Sequence, residues 1–385
     1  MRVTPRVWQA QVTPPLHQYF DDVTSGRVAC CGAARHRIPL IMSSLRTPCR
    51  ASLMVTATLL TGCGGQPELA TLVEQSRLAM GSSLRVAVWT ADSKGATRAI
   101  DEVYAEFDRL DRILSVWQPG SEVQRLNAAA GRGPVPIGPD LRTVLETAAE
   151  ASRHTGGKFD ITFGALADVW RFDHDQDNRL PTAAEIGARL PLIDYTAVRV
   201  DAEAGTAEIL RPGVRVHLGG IGKGYAVDQA AAILRQAGYR DFLIQAGGDL
   251  YAAGHRGDRP WRAGLFDPRG GGGATFASIE LADETFSTSG DYERFFMKDG
   301  VRYHHLLDPD TGQPARLCRS VTILARNALT ADWASTGVFI LGPEAGMALV
   351  ESLPEVEAVI VTADNEVRVS TGLVGRLRIE RPPTP

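Results

Sequence analysis

The stretch VHLGGIGKGYAVDQAAAILRQAGYRDFLIQAGGDLYAAG, residues 216–254, decides how the rest of this chain is read. An apolar strand at 214–218 runs into a glycine cluster, Gly219, Gly220, Gly222 and Gly224, with Lys223 among them. A helix is expected next, because Ala226, Ala230, Ile233 and Leu234 recur at helical spacing until Gly238 stops it. A second strand at 242–245 leads to Gly247, Gly248 and Asp249. Strand, glycine turn, helix and strand form a shape that can cradle a phosphate. Glycines let backbone N–H groups approach an anion at a helix N-terminus, and Lys223 adds a full positive charge. The spacing fits neither GxGxxG nor GxxxxGK[ST], so on its own the stretch reads first as a tight turn and second as a ligand site.

The chain has 385 residues, 44% of them hydrophobic, and a formal charge of −4. That supports a globular protein of one large domain or two ordinary ones, and gives no basic footprint for nucleic acid. Cys30, Cys31, Cys49, Cys63 and Cys318 show neither metal spacing nor a disulfide framework. Residues 1–41 are rich in Pro, Arg and His without periodicity, and are expected to be a gene-model extension or a disordered segment. A new pattern opens at Met42: Arg46 and Arg50, an apolar run at 51–60, then Leu60, Thr61, Gly62 and Cys63. About ten apolar residues cannot cross a bilayer, so 42–62 reads as a signal peptide. Leu60-Thr61-Gly62-Cys63 also resembles the bacterial lipoprotein box, which makes Cys63 the lipidated N-terminus of an exported protein. The expected location is the cell envelope, facing the periplasm and held to a membrane by lipid. Residues 63–76 then form a tether, 77–375 one domain and 376–385 a tail.

Within the domain, 79–90 alternates like a half-buried strand. A long helix follows at 94–114, with Ile100, Val103, Phe107, Leu110 and Ile113 on one face. Ser121 and Gln124 have capping-box spacing, and Leu141, Val144, Leu145, Ala148 and Ala151 mark a helix ended by Gly156 and Gly157. In 156–172, Lys158, Asp160 and Thr162 alternate with apolar residues, as on an edge strand with a wet face. Short strands are expected at 197–200 and 207–210, and the second half reads as mostly strand: 261–266, 276–281, 293–297, 301–305, 320–325, 358–362 and 367–370. Asp299-Gly300 makes a hairpin turn, and 287–296 is a hydroxyl-rich loop. Thr330 is positioned to cap a helix carrying Asp332, Ser335 and Thr336, ahead of a last helix at 343–352.

Asp332 and Thr336 are four apart and share a helical face. With a carbonyl of the Gly219-Gly220 turn they would make an oxygen-only group suited to Mg2+. The alternative is an Asp332 that only complements the helix dipole. Adjacent His304 and His305 on a strand point to opposite faces, so one of them at most looks into a given site.

Taken in order, MGSSLRVAV, SVWQPGSEVQRLN, GGKFDIT, HLGGIGKGYAVD, QAGGD, STSGDYERFF, HHLLDPDTG and ALTADWAST resemble the FAD:protein FMN transferases of the ApbE type, over about residues 79–372. The resemblance implies a compact α+β fold related to the T-fold, with mixed or antiparallel sheets and flanking helices. It implies Mg2+-dependent cleavage of FAD, release of AMP, and attachment of FMN to a threonine or serine hydroxyl of an exported flavoprotein. Position by position, it makes Met80, Trp117, Lys158, Phe159, Asp160, His217, Lys223 and Leu307 FAD contacts. The Gly220 carbonyl, Asp332 and Thr336 become metal ligands, with Ser335 where some members have an acid, and His305 assists the transfer. His217 departs from the aspartate of several members. An FAD pyrophosphatase on the same fold and a non-catalytic flavin-binding lipoprotein are the competing readings.

Overall fold

The computed structural model describes residues 69–173 and 175–385; the expectations for 1–68, Cys63 included, lie outside the described residues. The chain enters through a hairpin of β1 (Thr71–Ala79) and β2 (Ser82–Thr90). Its turn places Met80 and Gly81 at φ +47° and +70°. β1 begins inside the stretch read as a tether, because TLVEQSRLA is an edge strand whose polar side chains face water. The helix α1 (Ser93–Leu114) is capped by Asp92, whose carboxylate accepts from Gly95 N, and it buries Ile100, Val103, Phe107, Leu110 and Leu114. Removing a ring buried like that of Phe107 costs about 3–5 kcal/mol.

After α2 (Glu122–Ala128), β3 (Val135–Pro136) and α3 (Pro139–His154), the expected strand at 156–172 is absent. Gly156 and Gly157 lie at positive φ, and the Asp160 carboxylate gathers Thr162 N, Thr162 Oγ1 and Tyr195 N, so the segment coils into turns. The chain continues through α4 (Ala183–Arg189), β4 (Val198–Asp201) and β5 (Thr206–Ile209). The segment 214–218 is likewise no strand beyond one parallel bridge, Phe163 to Arg215. The Asn127 amide takes both Val216 N (2.7 Å) and Val216 O (2.9 Å), standing where a neighbouring strand would be.

The helix α5 (Gly222–Gln236) leads to β6 (Phe242–Ala246), β7 (Asp249–Ala253), β8 (His255–Arg256), β9 (Arg259–Phe266), β10 (Thr275–Leu281) and β11 (Glu284–Gly290). The first part of the expected hydroxyl loop, 287–290, is therefore strand β11, and its end, 295–296, opens the next strand. The hairpin β12 (Phe295–Lys298) and β13 (Val301–His304) turns at Asp299 and Gly300, both at positive φ. Next come β14 (Leu307–Asp308), β15 (Gln313–Pro314), β16 (Cys318–Ala325), α6 (Ala328–Leu341), α7 (Pro343–Ser352), β17 (Glu357–Thr362), β18 (Val367–Val369) and β19 (Arg378–Ile379). Asn327, not Thr330, caps α6, its side chain accepting from Thr330 N at 2.8 Å.

The main sheet has the order β1-β2-β6-β7-β11-β16-β17-β18, antiparallel throughout. A four-stranded sheet, β19-β10-β9-β8, contains the segment set apart as a tail. Helices α1, α5 and α6 share with the main sheet one continuous core that includes Leu84, Ile100, Phe107, Val227, Ile244, Val321 and Phe339. The architecture is α+β, with antiparallel sheets and flanking helices. Cys318 is buried and its thiol is free.

Candidate functional site

Helices α5 and α6 meet where Gly224 lets them. A Cβ there would stand 2.2 Å from Ala328 O and 2.7 Å from Asp332 Cβ, so only glycine permits the approach. Asp332 uses it, its Oδ2 accepting from Gly224 N at 2.8 Å. One turn on, Thr336 reaches the glycine turn, where a Cβ on Gly220 would lie 3.2 Å from Thr336 Oγ1. The start of α6 is fixed from α5 as well: the Asp228 carboxylate takes Ala328 N and Leu329 N at 2.7 and 2.9 Å. Gly220, more than a hundred residues away in sequence, is thus gathered with Asp332, Ser335 and Thr336 at one α5–α6 junction.

Lys223 enters the same place. Its Nζ lies 3.0 Å from Asp249 Oδ2, 3.7 Å from Asp332 Oδ1 and 3.4 Å from Gly219 O. Asp249 and Asp332 are 1% and 3% exposed. Burial alone would lower the Lys223 pKa, but the two carboxylates outweigh it and hold the ammonium above its ordinary value. Burial, and then the neighbouring Asp249, hold the Asp332 carboxyl above the ordinary carboxylate range. Two buried carboxylates facing one ammonium leave a negative excess, which costs free energy in a low dielectric.

Beside them runs a row of hydroxyls. Ser287 Oγ donates to Asp249 Oδ1 at 2.5 Å; Ser289 Oγ lies 2.8 Å from Ser335 Oγ and 3.2 Å from Thr336 Oγ1; Ser335 Oγ donates to Asp332 O at 2.9 Å. Asp249, Ser287 and Ser289 received no role from the sequence. Asp249 was visible only as an acid behind two glycines, and the β7–β11 pairing that sets Ser287 opposite it is a long-range fact.

The donors fit a hard divalent cation: a carboxylate with excess charge nearby, a threonine hydroxyl, and a backbone carbonyl at Gly220. Ser335 Oγ donates to Asp332 O, which leaves its lone pairs able to accept or to ligate. Among the described residues, no group of three or more His, Cys, Asp or Glu side chains could hold a metal ion. Any cation here would rest on one carboxylate with neutral oxygens. The glycine turn is narrower than a phosphate cradle, because the amides of Gly219, Ile221, Gly222 and Gly224 are committed to His217 Nδ1, Leu218 O, Leu218 O and Asp332.

The other expected residues divide into two sets. His217 packs its ring on Phe163 at 5.2 Å between centroids, and burial lowers its pKa to about 4. His305 follows β13 with its N–H on Arg294 O at 3.1 Å; burial, then Arg294, push its imidazole down to about 3. Its neighbour His304 turns into the core, 2% exposed, with Nε2 on Ala315 O. Met80 stands at the hairpin turn, its Cε 4.0 Å from the Cβ position of Gly222, and Trp117 is 48% exposed. Phe159 closes the floor, 3.4 Å from the Cβ position of Gly220 and edge-on to Trp333.

Lys158, Asp160 and Leu307 are engaged elsewhere. Lys158 Nζ forms ion pairs with Asp308 and Asp310 at 2.7 and 2.8 Å, and both Asp160 oxygens fix the turn of 160–162 and Tyr195. Leu307 packs in a satellite cluster with Leu166, Trp170 and Phe296.

A family model described as the ApbE family matches residues 80–360. Among curated relatives, an FAD:protein FMN transferase of Treponema pallidum is 32% identical over 335 residues, covering 82% of this chain and 91% of the relative. One of Salmonella typhimurium is 31% identical, covering 79% and 89%. Among solved structures, the ApbE protein of Thermotoga maritima superposes with a TM-score of 0.74 at 32% identity over 80% of this chain and 99% of that one. The flavin transferase ApbE of Vibrio cholerae gives 0.72 at 27% identity, again over 80% and 99%.

Proposed function

This chain belongs to the ApbE family and is a flavin transferase, and from that premise we propose that it moves the FMN part of FAD onto a threonine or serine hydroxyl of an acceptor flavoprotein, with Mg2+ and with release of AMP. The observation that carries the reading is the α5–α6 junction, where two buried carboxylates face a single ammonium beside a turn of glycines.

Asp332, Thr336 and the Gly220 carbonyl would hold Mg2+, which when bound would neutralise charge on the pyrophosphate. Lys223 has two duties: it holds Asp249 and Asp332 in place, and it presents positive charge where the bridging phosphates would lie. His305 would accept the proton of the incoming hydroxyl: burial keeps it neutral and at the same time makes it a weak base, which negative phosphate charge beside it would offset. In the step, the hydroxyl oxygen forms a bond to the FMN phosphorus as the bond from that phosphorus to the AMP oxygen breaks. The electron pair leaves with AMP, and the hydroxyl proton passes to the His305 imidazole. Met80, Trp117, Phe159 and His217 would contact the flavin.

The acceptor belongs among exported flavoproteins if Cys63 is lipidated, a reading that rests on the sequence of 42–63. Among the described residues no helix is long and apolar enough to cross a membrane. The test is product stoichiometry. With FAD, Mg2+ and an acceptor domain bearing a reactive threonine, AMP and FMN-modified acceptor should accumulate one to one. AMP with free FMN and an unmodified acceptor would make the protein a pyrophosphatase and overturn the proposal.

A further inference from the structure

The last ten residues are tied into the structure by an unusual density of polar contacts. β19 pairs with β10, and beyond it Thr384 donates both N and Oγ1 to the Asp267 carboxylate, at 3.0 and 2.7 Å. The Pro383 carbonyl accepts from Asn365 Nδ2, the Thr384 carbonyl accepts from Arg319 Nη1, and Arg381 pairs with Asp267 at 3.1 Å. Asp267 is 4% exposed and also accepts from Arg269 N and Gly270 N. A buried carboxylate with this many donors fixes the loop after β9 rigidly.

That loop holds Arg269, whose guanidinium makes a two-point pair with Asp291, 2.7 Å on each arm. Asp291 N in turn donates to Arg319 O at 3.0 Å. Asp291 sits between the two parts of the site. Two residues before it, Ser289 touches Thr336 and Ser335; three residues after it, Arg294 O receives the N–H of His305. Hydrogen bonds lead from Thr384 through Asp267 and Arg269 to Asp291, the backbone carries the two-residue step to Ser289, and Ser289 meets Thr336.

Resting on the transferase reading above, we propose that the C-terminal segment 380–384 is a positioning element of the transfer site. Asp267, Arg269 and Asp291 relay it, setting the segment 289–294 so that Thr336 and His305 keep their places. None of the three touches substrate; they act through Ser289 and Arg294. Rigid placement of this kind matters because a displacement of about 1 Å at a reacting centre can cost about a hundredfold in rate.

The experiment compares the full chain with three variants: a stop after Arg381, Arg269→Gln, and the two combined. Two readouts are taken. Amide hydrogen exchange over 287–294 should speed up about tenfold or more in each variant while exchange in α1 stays unchanged. The rate of transfer should fall about tenfold with the Kd for FAD within about threefold, and the combined variant should be no slower than the worse single one, since both cut one chain of contacts. Unchanged exchange over 287–294 in Arg269→Gln, or losses that multiply in the combined variant, would overturn the proposal. Arg269→Gln carries the test even if the truncated chain folds poorly. Should the unaltered protein transfer no flavin at all, the transferase reading falls, and the exchange readout still decides the relay.

Discussion

Replacing Lys223 by methionine takes away, among the described residues, the only ammonium within ion-pair reach of two buried carboxylates. The side chains of Lys223, Asp249 and Asp332 are 21%, 2% and 4% exposed, and the pairs measure 3.0 and 3.7 Å. Removing one partner of a buried pair costs about 3–5 kcal/mol. The 3.7 Å contact and the partial exposure of Lys223 favour the lower end, so Lys223→Met should lose about 3 kcal/mol at pH 8. Adding Asp249→Asn keeps the Ser287 hydrogen bond and removes one stranded charge, so the double variant should regain most of that loss. Millimolar Mg2+ should stabilise Lys223→Met more than the unaltered protein, because the same carboxylates then lack their ammonium. Urea unfolding followed by tryptophan fluorescence and circular dichroism measures all of these. A Lys223→Met variant within about 1 kcal/mol of the parent, or a double variant less stable than the single one, would refute this role for Lys223.

Gly224→Ala should cost about 3 kcal/mol, since its methyl would meet the Ala328 carbonyl oxygen at 2.2 Å; a melting temperature equal to the parent's would contradict the packing of α5 on α6. His305→Ala should slow transfer about a hundredfold or more while leaving FAD binding nearly intact, measured as separate rate and Kd. With the imidazole lowered to about 3, the transfer rate should show no acid limb near pH 6.5, and such a limb that disappears in His305→Ala would refute its assignment as a neutral acceptor. His304, buried with its pKa lowered to about 4, makes the folded state bind fewer protons than the unfolded one between pH 6.5 and 4. Its contribution to stability is therefore complete above 6.5 and erodes as pH falls through that window; urea midpoints at pH 7.5 and 5 should differ less in His304→Gln than in the parent.

The sequence made the helices legible because each carries its own period and caps. The 94–114 stripe ran one residue short of α1, and 343–352 coincides with α7. It misled where side chains replace backbone partners. The alternation at 156–172 looks like a strand, yet Asp160 curls the segment on itself, and 214–218 finds the Asn127 amide in place of a neighbouring strand. At the site, the spacing made legible only that Asp332 and Thr336 share one face of α6; a role for them came from the resemblance. The pairing of Lys223 with Asp249 was not, since it depends on β7 lying beside β11 behind α5 and α6. Composition also hid the C-terminal clasp: proline and arginine after 375 read as a tail, and only the fold brings Thr384 to Asp267.

We propose that Asp332 and Thr336 serve a metal-dependent flavin transfer. The most direct test is the intact mass of an acceptor domain after incubation with FAD and Mg2+, for the parent, Asp332→Ala and Thr336→Val, each with and without EDTA. The parent should add one FMN, EDTA should abolish the addition, and Asp332→Ala should add it at least about a hundredfold more slowly. An adduct that forms at the parent's rate in Asp332→Ala, or that EDTA leaves untouched, would contradict it.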